Sequence, residues 1–315
     1  MHMLKTGKEN MIAAVIVTYN RLALLQECVH AVMGQNGADC DLLIIDNAST
    51  DNTNEYLNTL SEEYQNIHCF RLDQNTGGAG GFYYGIKKAV EMGYEHIWIM
   101  DDDTIPEPDC LYRLTEADNV LGGGEQYGFL SSAVFWTDGS ECKMNRQKIN
   151  KKYFDKLEYL QDGLVLIDQA TFVSLFLPRE SVMKAGLPIK EYFIWGDDIE
   201  YTRRISVRMN MPSYLVGKSK VIHKMSNNEG SSIASDNSDR IDRYNYAFRN
   251  DNSTYRREGI PGFCYYTAKC GLNSLRVLTR SKDHRMKRLG IIARNYFTGL
   301  AFNPKHEYVK DRKSE

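Results

Sequence analysis

The chain has 315 residues, 42% apolar and 25% charged, with 39 Lys and Arg against 41 Asp and Glu. This is globular composition, enough for one large domain or a domain with an appendage, and a net charge of −2 excludes a polyanion trap for nucleic acid. No apolar run reaches bilayer-spanning length, and the polar segment of residues 1–10 lacks the apolar stretch of a secretion signal. The seven scattered cysteines form no Cys-x-x-Cys pair, which implies reduced, cytosolic thiols rather than a disulfide framework or zinc site.

Residues 12–18 (IAAVIVT) form a continuous apolar, β-branched run, the pattern of a strand buried on both faces. Leu22, Leu25, Val29 and Val32 then recur at helical spacing and stop near Gly34. A second buried strand is expected over 42–46 (LLIID), and Asp51 is placed to cap a helix carrying Tyr56, Leu57 and Leu60. A third strand is expected over 67–72, followed by a glycine-rich turn and a helix over 82–92 closed by Gly93. A fourth strand, 96–100 (HIWIM), runs straight into Asp101. Strands alternating with helices at this spacing imply βαβ units and a parallel sheet, whose ligands bind at the carboxyl ends of the strands. Those ends carry Thr18, Tyr19 and Asn20, then Asp46 and Asn47, then 73–75, then 101–103, a polar row suited to a nucleotide.

The second half is less regular. Strands are expected over 165–167 and 172–177, a short helix from Pro178 to Gly186, and a strand end at 221–223. Another helix, opened by Asp197 or Asp198, reaches about Asn210, and from about Asp242 the chain reads as helical with breaks at 259–261 and near Ser281. Over 276–294, seven Lys and Arg stand against Asp283 alone, interleaved with Leu, Ile and Val. Such a stretch is either a solvated helix face or a surface helix for anionic lipid.

Three motifs carry chemistry. Asp101, Asp102 and Asp103 at the end of an apolar strand repel one another unless a cation sits among them. Carboxylate oxygens suit Mg²⁺ or Mn²⁺ shared with substrate phosphates, and in a turn the first and third side chains converge while the second points away. Residues 75–81 (NTGGAGG) match neither a dinucleotide fingerprint nor a P-loop, so they either present amides to a pyrophosphate or let a helix approach the sheet closely. Residues 195–200 (WGDDIE), after Tyr192 and Phe193, set two carboxylates at a helix N-terminus, either as a general base or as a cap. His223, ending a short apolar strand, is structural or a metal ligand.

Together these segments resemble the family 2 glycosyltransferases of the GT-A fold. The resemblance is carried by 17–20 (VTYN), 46–51 (DNASTD), 75–82 (NTGGAGGF), 100–103 (MDDD), 195–200 and His223. It spans about residues 12–225 and is nearest the bacterial galactofuranosyltransferase and rhamnosyltransferase branch, which 243–250 (RYNYAFRN) also resembles.

The resemblance implies an α/β GT-A catalytic domain over 1–240, with a Rossmann-like, mostly parallel sheet, and a helical extension over 241–315. It further implies an inverting transfer of galactofuranose or rhamnose, from a donor of the UDP-galactofuranose or dTDP-rhamnose type, to a cell-surface glycan or polyprenyl-linked acceptor. The enzyme would lie in the cytoplasm, peripheral to the inner face of the cell membrane. Thr18, Tyr19 and Asp46 would line the base and ribose. Arg71, Asn75, Gly77 and Gly78 would lie near the ribose and diphosphate, with Asp102 and Trp195 also on the donor side. Asp101, Asp103 and His223 would hold the metal. Asp198 would be the base, with Asp197 beside it. Relatives often carry Glu-Asp here, so the choice between the two aspartates stays open. The rival readings are a nucleotidyltransferase and a non-catalytic sugar- or lipid-binding module.

Overall fold

A computed structural model describes residues 11–309; the polar segment 1–10 lies outside them. The four expected strands form as β1 (Ile12–Thr18), β2 (Asp41–Asp46), β3 (Ile67–Arg71) and β4 (His96–Asp101). All four pair in parallel, in the order β3-β2-β1-β4. β1 is buried along its whole length because both faces are covered, which is why its sequence shows no polar alternation. α1 (Leu22–Met33) buries Leu25, Cys28, Val29 and Val32 on one side of the sheet. α2 (Thr53–Glu63) follows β2, and Asp51 accepts the Thr53 amide at its start.

The glycine-rich segment is not a turn. α3 runs from Gly77 to Glu91 (Gly77–Glu91), so the glycines form its first turns. Asn75 Oδ1 accepts the Gly77 amide at 2.8 Å, and the Asn47 side chain accepts from Thr76 and donates to Gly77 O. A Cβ at Gly81 would collide with Val17, and one at Gly85 with Val15. Spaced four apart, these two glycines seat the helix directly on β1. Of the four glycines in 75–81, close packing on the sheet accounts for Gly81, while a Cβ at Gly80 would meet Thr76 and one at Gly78 nothing.

β5 (Thr104–Pro106) and α4 (Cys110–Leu121) come next, then β6 (Leu130–Phe135), β7 (Lys148–Ile149), β8 (Leu164–Gln169) and β9 (Leu175–Pro178). The expected strand over 172–177 begins only at Leu175, because Phe172 leaves the sheet to pack edge-on against Phe82, ring centroids 4.9 Å apart. α5 (Arg179–Ala185), α6 (Asp197–Arg203) and β10 (Tyr214–His223) follow. β9 inserts antiparallel between β4 and β6, and the sheet continues β6-β10-β8-β7, with β10 parallel to β6 and antiparallel to β8. β5 pairs antiparallel with the end of β10, setting His223 opposite Thr104.

One core cluster lies on each face of the sheet. A third, including Ile233, Phe248, Tyr266, Val277 and Ile292, is enclosed by α7 (Tyr244–Arg256), α8 (Gly259–Arg280) and α9 (Arg285–Ala301). Among the described residues no helix is long and apolar enough to cross a membrane.

Candidate active site

Register aligns the polar row. Thr18 pairs with Asp46 and Asp46 with Arg71, while Val17 pairs with Asp101. Asp46, fully buried, accepts from the Ser49 amide and from Arg71 at 3.1 Å, and Arg71 also donates to Ser49 O. Thr18 is buried and donates to Asp102 at 2.7 Å, whereas Tyr19 is exposed.

The three aspartates diverge as the turn geometry requires. Asp102 faces Thr18 and Arg21, while Asp101 and Asp103 turn toward His223. One ligand atom from each of Asp101, Asp103 and His223 lies within 4.8 Å of the others. The β5–β10 pairing is what closes this 120-residue separation, since it brings His223 Nε2 to 3.0 Å from Asp103 Oδ1. On its other side, His223 Nδ1 lies 2.8 Å from Asn145 Oδ1, whose amide nitrogen donates to Thr171. Asn145 thus accepts the Nδ1 proton and leaves Nε2 pointing at the aspartates, the outer-shell arrangement of metal-bound histidines. Two oxygens and one imidazole nitrogen are a donor set for a divalent cation.

The electrostatics agree with that geometry. Burial, and then the Asp103 charge, push Asp101 up to about 7. Burial also raises Asp102, to about 6, against the pull of Arg21 and Thr18. Burial opposes the charge on Asp103, but bonds to His223 and Arg21 outweigh it and hold its carboxyl below the ordinary value. His223 is likewise disfavoured as a cation by burial, yet its bond to Asp103 and the neighbouring carboxylates lift it to about 10. The protonated ring stands where an ion's charge would otherwise serve. Arg21 is committed to Asp102 and Asp103, so it offers no free cation for the triphosphate that a nucleotidyltransferase would bind.

The second acidic pair lies across a cleft of about 460 Å³. The cleft is lined by Asp101, His223, Gly78 and Phe82, by Asp197, Asp198 and Trp195, and by Phe248, Asp251, Lys269 and Asn273 of α7 and α8. Gly77 is buried behind Gly78 with positive φ, and a Cβ there would collide with the Phe193 carbonyl. Thr18, Tyr19, Asp46, Arg71 and Asn75 lie outside this cleft, along the carboxyl edge of β1–β3.

The approach to α6 is strained: Phe193, Trp195 and Gly196 all have positive φ, a conformation costly for the two aromatic residues. Asn250, wholly buried on α7, holds it in place by donating to the carbonyls of Tyr192, Ile194 and Trp195. Among the described residues, no Lys or Arg pairs with Asp197 or Asp198. Burial, and then the charges of Asp198 and Asp101, push Asp197 well above the carboxylate range. Asp198, half-buried, is raised by burial to about 6, tempered by its bond from the Ile199 amide at 2.7 Å. Sequence reasoning missed Asn145 altogether; Asn47 and Asn250 lay in segments the resemblance had marked, without a role for either.

Comparison with known proteins follows the same lines. Residues 13–165 match the model of glycosyl transferase family 2. The chain is 26% identical over 216 residues to galactofuranosyltransferase GlfT1 of Mycolicibacterium smegmatis, covering 64% of this chain and 67% of that one. It is 29% identical over 115 residues to undecaprenyl-phosphate mannosyltransferase of Micrococcus luteus, 35% of this chain and 47% of the relative. The matches thus span about half to two thirds of those relatives. Among solved structures, GalNAc-T7 with UDP, GalNAc and Mn²⁺ superposes with a TM-score of 0.58 at 14% identity, over 83% of this chain and 54% of that one. Residues 1–349 of S. aureus TarS superpose at 0.51 and 12% identity, over 91% and 72%. Sequence match and fold agree: residues 13–165 belong to glycosyl transferase family 2, and the chain takes the GT-A fold.

Proposed function

We propose that the enzyme transfers a sugar with inversion, using a divalent cation held by Asp101, Asp103 and His223. The observation that carries this reading is their convergence beside a cleft that Asp101, His223 and Asp198 line together with residues of the helical extension. Mn²⁺ or Mg²⁺ bound there would offset charge building on the leaving diphosphate. Arg21 and Thr18 brace Asp102, which keeps the acidic turn in shape. Thr18, Tyr19, Asp46, Arg71 and Asn75 are assigned to the nucleoside along the sheet edge. The partly exposed backbone of Gly78, rather than that of buried Gly77, is assigned to the diphosphate.

Asp198 is assigned as the base. With a carboxyl near 6 it is largely ionised at neutral pH yet remains basic enough to take a proton. Asp197, raised well above the ordinary carboxylate value by burial and by the charges of Asp198 and Asp101, is assigned as a hydrogen-bond donor beside it. Asp198 removes the acceptor's proton, that oxygen attacks the anomeric carbon, and the nucleoside diphosphate departs from the opposite face. Trp195, Phe82 and Phe172 give the cleft an apolar wall that limits donor hydrolysis.

The similarity to GlfT1 supports galactofuranose as the sugar, with rhamnose as the alternative, and a cell-surface glycan or polyprenyl-linked acceptor at the inner membrane face. The division of labour puts the chemistry in residues 1–240 and acceptor contacts in the extension. The test is nucleoside diphosphate release from UDP-galactofuranose and dTDP-rhamnose, with and without EDTA. Metal-dependent release from one donor is expected. Release from neither of these, or from any nucleotide sugar, would leave a binding module.

A further inference from the structure

α8 and α9 contain no acidic residue. Together with their connecting loop they carry eight Lys and Arg against Asp283 alone, in a protein of net charge −2. The two helices form an antiparallel hairpin. Tyr296 of α9 stacks on Tyr266 of α8, and both helices rest on α7 through Tyr266 to Phe248 O and Asn252 to Tyr296 O. Their far sides are exposed and apolar.

On α8 the exposed side runs through Ile260, Tyr265, Leu272, Leu275 and Leu278, at 48–81% exposure. Cys264, Ala268 and Gly271 fill the gaps. At helical spacing these residues form one stripe with no charge inside it, and Arg276 and Arg280 stand on its border. α9 repeats the pattern with Met286 (80% exposed), Gly290, Ala293 and Phe297 (69% exposed), bordered by Arg294.

We propose that the outer face of α8 and α9 docks on an anionic lipid bilayer. The apolar stripes would enter the headgroup–acyl boundary while Arg276, Arg280, Lys282 and Arg294 meet lipid phosphates. The sign of the border selects this occupant: a second copy would bring two cationic borders together. A contrast exists within the molecule. Ile149, Phe154 and Leu157 are also exposed, but their segment mixes Lys151, Lys152 and Lys156 with Asp155, Glu158 and Asp162, so it has no such bias.

The structure also separates the cations available to lipid from those that are not. Arg288 is buried and donates to Ile233 O and Asp236 O, and Lys287 pairs with Asp242 at 2.9 Å. Lys269 and Asn273 of α8 line the cleft, so docking through α8 brings that part of the cleft wall close to the bilayer. That the acceptor is therefore membrane-borne rests on the glycosyl-transfer reading; the docking itself does not.

The test is co-sedimentation of the full chain with vesicles of phosphatidylcholine alone or mixed with phosphatidylglycerol. Binding is expected only to the mixed vesicles, with release at high salt. Two double variants, R276E/R280E and L272S/L275S, should each weaken binding on the order of tenfold. Hydrolysis of the donor sugar in solution, without vesicles, shows that the variants are folded and reads the catalytic proposal separately. Failure to bind either vesicle, binding that both variants retain, or a wild-type dimer in ultracentrifugation that L272S/L275S dissolves without any vesicle binding would overturn the proposal.

Discussion

The two acidic clusters of the cleft differ in what compensates them. At the first, Arg21 and His223 bring positive charge to three carboxylates, and Asp102, Asp103 and His223 are each held by a named partner. At the second, Asp197 and Asp198 receive no cation, and the loop before them is held in strained geometry by Asn250. A compensated cluster can exchange its internal cation for a metal. Burial raises carboxyls in both clusters, Asp101 to about 7 and Asp198 to about 6, but among the described residues only the second cluster has no cation paired with it, which leaves Asp198 free to take a proton from a substrate. Similar residue types thus serve different chemistry because their surroundings differ.

The largest effect that would break this comparison is at Asp198. Asp198→Asn should lower turnover by about 10²–10⁴-fold with donor affinity retained, read by steady-state kinetics and donor titration. If Asp197→Asn behaves that way and Asp198→Asn does not, the two roles are exchanged. The same assignment fixes a pH dependence. Asp198 must be ionised to act, so kcat/KM at saturating metal should fall about tenfold per pH unit below roughly 6 and level off above it.

Asn250→Ala sharpens the contrast from the structural side. Removing its three hydrogen bonds frees the 193–196 loop and should cost roughly ten- to a hundredfold in turnover through misplacement of the base. Metal binding should be unaffected, which a general loss of fold would not spare.

The smallest effect is on stability. Because folding raises the Asp197 pKa, the folded state favours its protonated form, and stability declines as pH rises above the ordinary carboxylate range. Asp197→Asn should therefore stabilise the metal-free protein by on the order of 1 kcal/mol at pH 8 and by little at pH 4, read by denaturant melts.

How much of this was legible beforehand follows from how local each feature is. The parallel half of the sheet and the divergence of Asp101–Asp103 are written in contiguous runs, so apolar patterning and turn geometry reveal them. The meeting of His223 with Asp103 depends on the β5–β10 register, and β5 is only three residues long. The glycines of α3 were read as a turn because their collisions with Val15 and Val17 are tertiary. Asn145 and Asn250 act through backbone carbonyls and a ring nitrogen far away in sequence, where no periodicity points. Over 276–294 a solvated face and a lipid-facing helix stayed open alternatives, because alternation of apolar and basic residues looks alike whether the apolar side is buried or not, and the stripe of α8 begins earlier, at Ile260.

The most direct test of the account is Mn²⁺ binding in the presence of nucleoside diphosphate, followed by electron paramagnetic resonance of the free ion. Asp101→Asn, Asp103→Asn and His223→Phe should each weaken Mn²⁺ binding about tenfold or more, while Asp197→Asn and Asp198→Asn should leave it near the wild-type value. Undiminished binding in all three variants of the first cluster, or loss of binding in either variant of the second, would contradict the separation of a cation-holding cluster from a proton-taking one.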